Sequence, residues 1–370
     1  MKPAVVAMAL AAALMVACTD AAYADTSGAA GDDAAWQALL AQGKAEGSLV
    51  GSMCPLYSDA IVRGFKADTG IDIVTVPGGQ ADRASKFRME LQSGHVATDF
   101  HMSGNSDIEF AKADHFADIA ANLVMPGVAD PANWDGGAIH YVDQTRKFMP
   151  VPGEYVSARP VVNTDFVPAN SLKTWADLMK PEFDGKIAAY DPTIPGSGQS
   201  LTSYLVQIRG EDFVVALFSK QHVVISRDSQ QLAEWAARGL YPIVLGMDAT
   251  YIDQIQQQGV TSVVSVTPDD GPGSLVGGCG TLAIPKNAPH PHAAMVFANW
   301  YLSQHGQATM VAAVHYPTFR LDVPREDVRA YFLPQPGAKY TDQYTEDWYF
   351  GPARIARESL KAKLQPFVGN

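Results

Sequence analysis

Short apolar segments alternate with helical segments along the first part of the chain, and this alternation restricts the fold to the α/β class. Apolar residues recur at helical spacing over residues 36–46, and an apolar segment at 48–52 then predicts a buried strand. A second helical segment at 58–68 leads to another strand-like segment at 71–76. Because parallel strands are joined by a crossover helix, this order predicts a β-α-β unit.

The N-terminus has the features of a secretory signal. Lys2 precedes an apolar run at residues 5–17, which is shorter than the roughly 20 residues that a membrane-spanning helix needs. Small residues before Asp25 favour cleavage after Ala24, which leaves a linker at 25–35. Cys18 offers the alternative of a lipidated, membrane-tethered protein. Either route leads to the cell envelope, and the first predicts a periplasmic protein.

The remaining length predicts two α/β lobes, because a single core rarely extends over that many residues. Prolines and a glycine interrupt the pattern around residues 148–164, and we expect the chain to cross there into a second lobe. A return to the first lobe is expected near Cys279. The predicted organisation is a signal peptide at 1–24, a linker at 25–35, lobe 1 at 36–152 and 275–320, lobe 2 at 153–274, and a helical C-terminal segment at 321–370.

Charge and motifs exclude several classes of protein. The net charge of −12 argues against nucleic acid or anionic lipid as partners. No nucleophile elbow, zinc-protease motif, phosphate-binding loop or dinucleotide fingerprint is present, so we expect no enzyme and no cofactor. His290 and His292 flank a proline at a predicted helix start, which explains them without a metal.

Cys54 and Cys279 are the cysteines that remain after cleavage at Ala24. An oxidising compartment favours a disulfide between them, and two buried free thiols are the alternative. Cys54 follows the opening strand of the first lobe, and Cys279 begins the strand by which the chain returns. We therefore expect the two residues to lie close together.

Six segments follow one another in a distinctive order and spacing, at residues 65–71, 172–178, 181–188, 191–198, 232–239 and 289–307. In that order they resemble the family 1 extracellular solute-binding proteins, which include ferric-iron and thiamine binders. The resemblance implies a two-lobed periplasmic binding protein fold, type II-like, with a small-molecule ligand in the cleft between the lobes. It also implies a monomer that serves the permease and ATPase of an ABC importer in the inner membrane. A binding protein that serves a sensor would have the same fold.

In parallel sheets the ligand lies beyond the carboxyl ends of the strands, where loops lead into helices. This rule selects loops at residues 52–57, 103–106, 193–199 and 226–229, and the family adds a fifth at 246–251. The candidate ligand-binding residues are Ser52, Met53, Tyr57, Ser103, Asn105, Thr193, Ser197, Gly198, Arg227, Asp248 and Tyr251.

Two features of these loops predict an anionic ligand such as a carboxylate or a phosphonate. The glycine-rich loop at 196–198 precedes a helix, so its backbone N–H groups can bind an anion, and Arg227 supplies a cation. The structural alternative for the loop is a plain turn that caps the helix. The structural alternative for Arg227 is a surface ion pair with Asp228 or Glu234.

Ferric ion is a second expectation, because iron-binding relatives carry adjacent tyrosines in the region of residues 246–251. This chain has no tyrosine pair there, which leaves Asp248 and Tyr251 as the ferric candidates. A thiamine-like cation held by Asp248, Tyr57 and Tyr251 is the third alternative.

Overall fold

A computed structural model describes residues 30–248 and 250–368. The strands are β1 (Leu49–Ser52), β2 (Ile73–Thr75), β3 (Phe100–Ser103), β4 (Tyr155–Ser157), β5 (Val161–Asn163), β6 (Ile187–Tyr190), β7 (Val224–Ser226), β8 (Ile243–Leu245), β9 (Val263–Ser265), β10 (Ser274–Val276), β11 (Thr281–Ala283) and β12 (Thr341–Asp342). The α-helices are α1 (Ala30–Glu46), α2 (Pro55–Thr69), α3 (Gln80–Ser93), α4 (Ile108–Lys112), α5 (Ser197–Arg209), α6 (Glu211–Lys220), α7 (Ser229–Arg238), α8 (Thr250–Gln257), α9 (Pro291–Leu302), α10 (Gln304–Val314), α11 (Glu346–Phe350) and α12 (Pro352–Leu364).

The first lobe is built on a four-stranded sheet of order β11-β3-β1-β2. Strand β1 pairs in parallel with β2 and β3, and β11 runs antiparallel to β3. Helix α9 is apolar on nearly every face because it lies inside the lobe, where Phe297 stacks on Phe100 with ring centroids 3.8 Å apart. The predicted β-α-β unit corresponds to β1, α2 and β2.

The second lobe is built on a five-stranded sheet of order β7-β6-β8-β5-β9. Strand β6 pairs in parallel with β7 and β8, whereas β5 runs antiparallel to β8 and β9. Trp175 is fully buried in its core, and the indole N–H donates to the carbonyl of Gly271. A buried indole needs such an acceptor, so this bond fixes a loop against the core.

A three-stranded sheet of order β12-β10-β4 joins the lobes. Strand β4 carries the chain out of the first lobe, β10 returns antiparallel to it, and β12 pairs in parallel with β10. The C-terminal segment then contacts both lobes. Glu346 of α11 forms an ion pair with Lys112 of the first lobe, whereas Leu360 of α12 packs in the core of the second.

Two sequence expectations differ from the structure. Helix α1 begins at Ala30, inside the stretch expected to be a linker, while the signal segment and Cys18 lie outside the described residues. The C-terminal segment at 321–370 was predicted to be helical, but α-helix begins only at Glu346. Prolines at 324, 334 and 336 explain the difference, because proline lacks the N–H that a helix interior requires.

Cys54 and Cys279 form a disulfide, with Cα atoms 6.2 Å apart. Because β11 runs antiparallel to β3, its start lies at the same edge of the sheet as the end of β1. The predicted proximity of the two cysteines is confirmed. No helix in the described part of the chain is long and apolar enough to cross a membrane.

Candidate functional site

A cavity of about 510 Å³ lies between the two lobes. It is lined by the loops that follow β1 and β3 on one side, and by those that follow β6, β7 and β8 on the other. The connecting strands β4 and β10 close its base, and residues of α11 and α12 contribute a further wall. Carboxyl ends of strands from both sheets therefore converge on one cleft, as the strand-end rule predicts.

The N-terminus of α5 opens onto this cavity. Gly196 occupies the N-cap position with a φ of +147° and gives no side-chain hydrogen bond to the helix, and Ser197 lines the cavity. The first backbone N–H groups of a helix have no intrahelical acceptor, so those of α5 are available to a ligand. Gly198 lies behind them, where a Cβ atom would stand 2.2 Å from the carbonyl oxygen of Tyr190. Only glycine allows the helix to start this close to β6.

Arg227 lines the same cavity, and its side chain is 61% exposed. Its Nε donates to Oδ2 of Asp191 at 2.8 Å, and the Asp191 side chain has no exposed surface. The structural alternative from the sequence paired Arg227 with Asp228 or Glu234. Asp228 instead caps α7 by accepting hydrogen bonds from the backbone N–H groups of residues 230 and 231. The guanidinium is thus anchored through Nε at the cavity wall.

Asp248 accepts hydrogen bonds from two phenols. Tyr316 donates to Oδ1 at 2.6 Å and Tyr155 to Oδ2 at 3.3 Å, and the two rings stack with centroids 3.9 Å apart. Burial raises the pKa of both phenols well above the usual value, and the adjacent carboxylate raises it further. Burial and Asp248 also raise the pKa of Tyr251, which lines the cavity. These phenols are held in the protonated form.

Ser103 and Asn105 line the first-lobe wall, as expected, but both side chains already have partners. The hydroxyl of Ser103 donates to Oδ2 of Asp107 at 2.7 Å. The amide of Asn105 donates to the backbone carbonyl of Gln343, whose side chain accepts a hydrogen bond from Ser200 of α5. Gln343 therefore links the two lobes at the edge of the cavity.

Five residues predicted to contact the ligand lie behind the wall instead of on it. Ser52 binds the ring of His101, Met53 is core, and the hydroxyl of Tyr57 donates to the carbonyl of Cys279. Thr193 donates twice to Asp191 and so orients the partner of Arg227. Gly198 packs against β6, as described above. All five lie at or beyond a strand end, but their side chains or, for Gly198, its backbone pack against neighbouring elements and not against the cavity.

Other residues of the cavity were missed by the sequence reasoning. Tyr155 enters from β4, Arg83 from the first turns of α3, and Arg357 from α12, where its guanidinium lies 4.0 Å from the ring centroid of Tyr349. All three lie outside the loops that the strand-end rule selects. Gly79 could have indicated the contribution of α3 to the site, because it is the N-cap residue of that helix and supplies no side-chain cap.

Among the described residues, no group of three or more His, Cys, Asp and Glu side chains could hold a metal ion. The histidines at 290 and 292 bind carboxylates of the first lobe. The ring of His290 lies 2.9 Å from Asp99, and that of His292 lies 2.6 Å from Glu46. Both side chains therefore tie the start of α9 to neighbouring elements.

Comparison with solved structures gives the fold its class. The periplasmic binding protein P5PA superposes with a TM-score of 0.66 at 16% identity, over 87% of this chain and 99% of that one. AfuA from Actinobacillus pleuropneumoniae, with exogenous fructose-6-phosphate bound, superposes with a TM-score of 0.65 at 18% identity, over 87% of this chain and 98% of that one. Iron-bound HitA from Pseudomonas aeruginosa superposes with a TM-score of 0.62 at 17% identity, over 88% of this chain and 100% of that one. The chain has the two-lobed α/β fold of type II periplasmic binding proteins.

The family follows from the sequence itself. Residues 60–332 match the family model described as bacterial extracellular solute-binding protein, and the chain belongs to that family. No curated protein matches the chain. The expected resemblance is thereby confirmed, and the protein is a binding protein and not an enzyme.

Proposed function

We propose that this protein is the periplasmic substrate-binding component of an ABC importer, and that it captures a small organic anion, a carboxylate or a phosphonate, between its lobes. The observation that carries the proposal is the pairing of two anion-binding groups on one wall of the cleft. The uncapped N-terminus of α5 opens there, and Arg227 stands at the end of the neighbouring strand β7. Together they offer backbone donors, a helix dipole and a guanidinium.

The interactions of Arg227 support this role. Its bond to Asp191 uses only Nε, and the side chain remains largely exposed toward the cavity. An arginine that is anchored through one nitrogen keeps its terminal nitrogens for a carboxylate or phosphoryl group. Asp191 reduces the net charge at this position, so the backbone N–H groups of α5 have to supply part of the affinity.

The volume of the cavity fits a small molecule. Ligand cavities usually measure about 300–1,000 Å³, and the cleft holds about 510 Å³. Fructose-6-phosphate in AfuA and agropinic acid in AgtB from A. tumefaciens are anions held by the same fold. HitA binds iron and Atu4243 is a GABA receptor, so the fold alone does not select the ligand. The class of ligand therefore has to be inferred from the residues that line this chain's own cleft.

A ferric or cationic ligand fits those residues less well. Asp248 is already hydrogen-bonded to Tyr155 and Tyr316, and burial raises the pKa of both phenols. Iron binding would require these protons to leave, and a thiamine-like cation would have to compete with both O–H donors for the carboxylate.

A thermal-shift panel tests the proposal. Succinate, glutarate, 3-phosphonopropionate and fructose-6-phosphate represent the anions, whereas ferric citrate and thiamine represent the alternatives. Binding at about 100 times the Kd adds roughly 2.7 kcal/mol to the free energy of unfolding, which gives a clear rise in Tm. We expect at least one anion to raise Tm and thiamine to leave it unchanged. Citrate without iron is the control for the ferric sample.

A further inference from the structure

Arg83 is a buried arginine in the cavity wall, and it has no anionic partner. Its residue exposure is 2%, and it lines the cavity from the first turns of α3. Nε donates to the carbonyl of Gly78 at 3.2 Å, and Nη2 lies 3.5 Å from Sγ of Cys54. Nη1 has no hydrogen-bond partner among the residues that the structure describes. A disulfide sulfur is a weak acceptor, so this guanidinium is poorly satisfied.

The charge of Arg83 is uncompensated. It forms no ion pair with any carboxylate in the described ranges, and burial keeps the neighbouring Tyr57 as a neutral phenol. Burial therefore lowers the pKa of Arg83 below its usual value. By contrast, Arg320 is equally buried and forms a two-point ion pair with Asp322. Unpaired buried cations are costly, and they concentrate at functional sites.

Another buried arginine shows that burial without a carboxylate is not sufficient for a ligand site. Arg159 also lacks an ion pair in the described structure, but three oxygens accept hydrogen bonds from its two terminal nitrogens. It does not line the cavity. In the described structure Arg159 leaves only its Nε without a partner, whereas Arg83 combines an unpartnered terminal nitrogen with a place in the ligand cavity.

The surroundings of Arg83 favour an anion. Helix α3 begins after Gly79, which gives no side-chain cap, and both Gly79 and Gln80 line the cavity. The dipole of this 14-residue helix therefore adds to the charge of the guanidinium. Asp82 in the same turn is exposed and forms no ion pair with Arg83.

Two buried carboxylates near this wall are engaged elsewhere. Asp107 accepts from Ser103 and lies 3.6 Å from Nε2 of His101, and Glu90 accepts from the backbone N–H groups of residues 97 and 98. Neither forms an ion pair with Arg83 in the described structure. The guanidinium therefore has no ion-pair partner among the described residues on this side of the cavity.

We propose that Arg83 binds a second anionic group of the ligand on the first-lobe wall, so that the protein selects small molecules with an anionic group at each end. The inference rests on the proposed function, in which the second lobe binds one anionic group at the start of α5. Nη1 is buried without a hydrogen-bond partner in the described structure, and Arg83 lines the cavity, so an anionic oxygen of the ligand at this wall can accept a hydrogen bond from it. A two-ended anion then connects the lobes and stabilises the closed form.

Isothermal titration calorimetry on matched ligand pairs tests the inference. Glutarate is compared with butyrate, and 3-phosphonopropionate with propylphosphonate, so that each pair differs in one anionic group. Wild type is compared with Arg83→Met, which removes the charge at similar volume, and with Arg83→Lys, which keeps it. Arg88→Met is the control, because Arg88 lies on the same helix but pairs with Glu109 outside the cavity.

We expect wild type to bind the two-ended anion of each pair at least about tenfold more tightly than its partner. Arg83→Met should reduce that preference to about twofold, Arg83→Lys should keep part of it, and Arg88→Met should keep all of it. An Arg83→Met protein that folds and retains the full preference overturns the inference and leaves the proposed function intact. So does a wild type that binds both members of each pair equally. If wild type binds none of the four anions but binds thiamine or ferric citrate, both proposals fail.

Discussion

Nε of Arg227 lies 2.8 Å from Oδ2 of Asp191, a carboxylate without exposed surface. The arginine therefore has two roles, since it balances a buried charge and faces the ligand cavity. Arg227→Ala should weaken binding of glutarate by about thirtyfold, because a charge-assisted contact worth about 2 kcal/mol is lost. It should also lower the free energy of unfolding by about 1–3 kcal/mol, because Asp191 loses a partner. Calorimetry and urea denaturation measure the two effects.

The double variant Arg227→Ala with Asp191→Asn separates these roles. Removing the buried charge should restore most of the lost stability, whereas affinity for glutarate should stay low. Should affinity recover along with stability, Arg227 would act on binding only through the fold.

Gly198 sets the position of the α5 N-terminus. Gly198→Ala places a Cβ atom 2.2 Å from the carbonyl oxygen of Tyr190, so the start of α5 must move away from β6. We expect a loss of at least about tenfold in glutarate affinity and a lower Tm. Ser197→Ala is the control, because it removes only a hydroxyl and retains the backbone N–H. A larger effect from Ser197→Ala than from Gly198→Ala would mean that the hydroxyl, and not the backbone, binds the ligand.

The disulfide between Cys54 and Cys279 closes a loop with a sequence separation of 225 residues. Cys54→Ser with Cys279→Ser should lower the free energy of unfolding by about 4 kcal/mol, because the unfolded chain regains the entropy that the cross-link removed. Urea denaturation of the double variant and of the wild type measures the difference. A loss below about 1 kcal/mol would show that the bond contributes little to stability.

Glu154 and Asp342 make stability depend on pH. Burial, together with the charge of Asp342, raises the pKa of Glu154 from 4.5 to about 8, and burial raises that of Asp342 as well. The folded state therefore holds its protons to higher pH than the unfolded state does. The protonated carboxyls therefore contribute to the free energy of unfolding. Their contribution is complete below pH 4.5, the usual pKa of Glu, and is lost as the pH rises through about 8.

Glu154→Gln should remove most of this dependence. Between pH 5 and pH 8.5 we expect the wild type to lose on the order of 2 kcal/mol more than the variant, because water at this half-buried position screens part of the effect. Urea denaturation at the two pH values measures it. Parallel pH profiles for the two proteins would show that Glu154 titrates normally in the folded state.

Local sequence patterns predict those parts of this fold that local forces determine. The helix spacing before β1 and the apolar strands β1 and β2 follow from periodicity, and the two cysteines could be paired because each adjoins a strand of one sheet. The helical tail was mispredicted at its start, since the prolines at 334 and 336 outweigh the propensity of their neighbours.

The candidate site was predictable only where it follows strand ends. Ser197 and Arg227 are placed in the cavity by that rule, and Asp248 by the family resemblance. Tyr155 and Tyr316 are far apart in the chain, and both donate hydrogen bonds to Asp248. These contacts depend on long-range packing, which the hydrophobic periodicity of the sequence does not predict. The place of Arg83 depends equally on long-range contacts, because its contact with Cys54 and its lack of an ion-pair partner become visible only in the folded structure.

A crystal structure of the protein grown with 3-phosphonopropionate tests the central claim most directly. We expect electron density for the anion between the lobes, with one anionic group within about 3 Å of the backbone N–H groups at the start of α5 and near Arg227. A cleft that stays free of the anion while ferric citrate or thiamine binds at Asp248 would contradict the account.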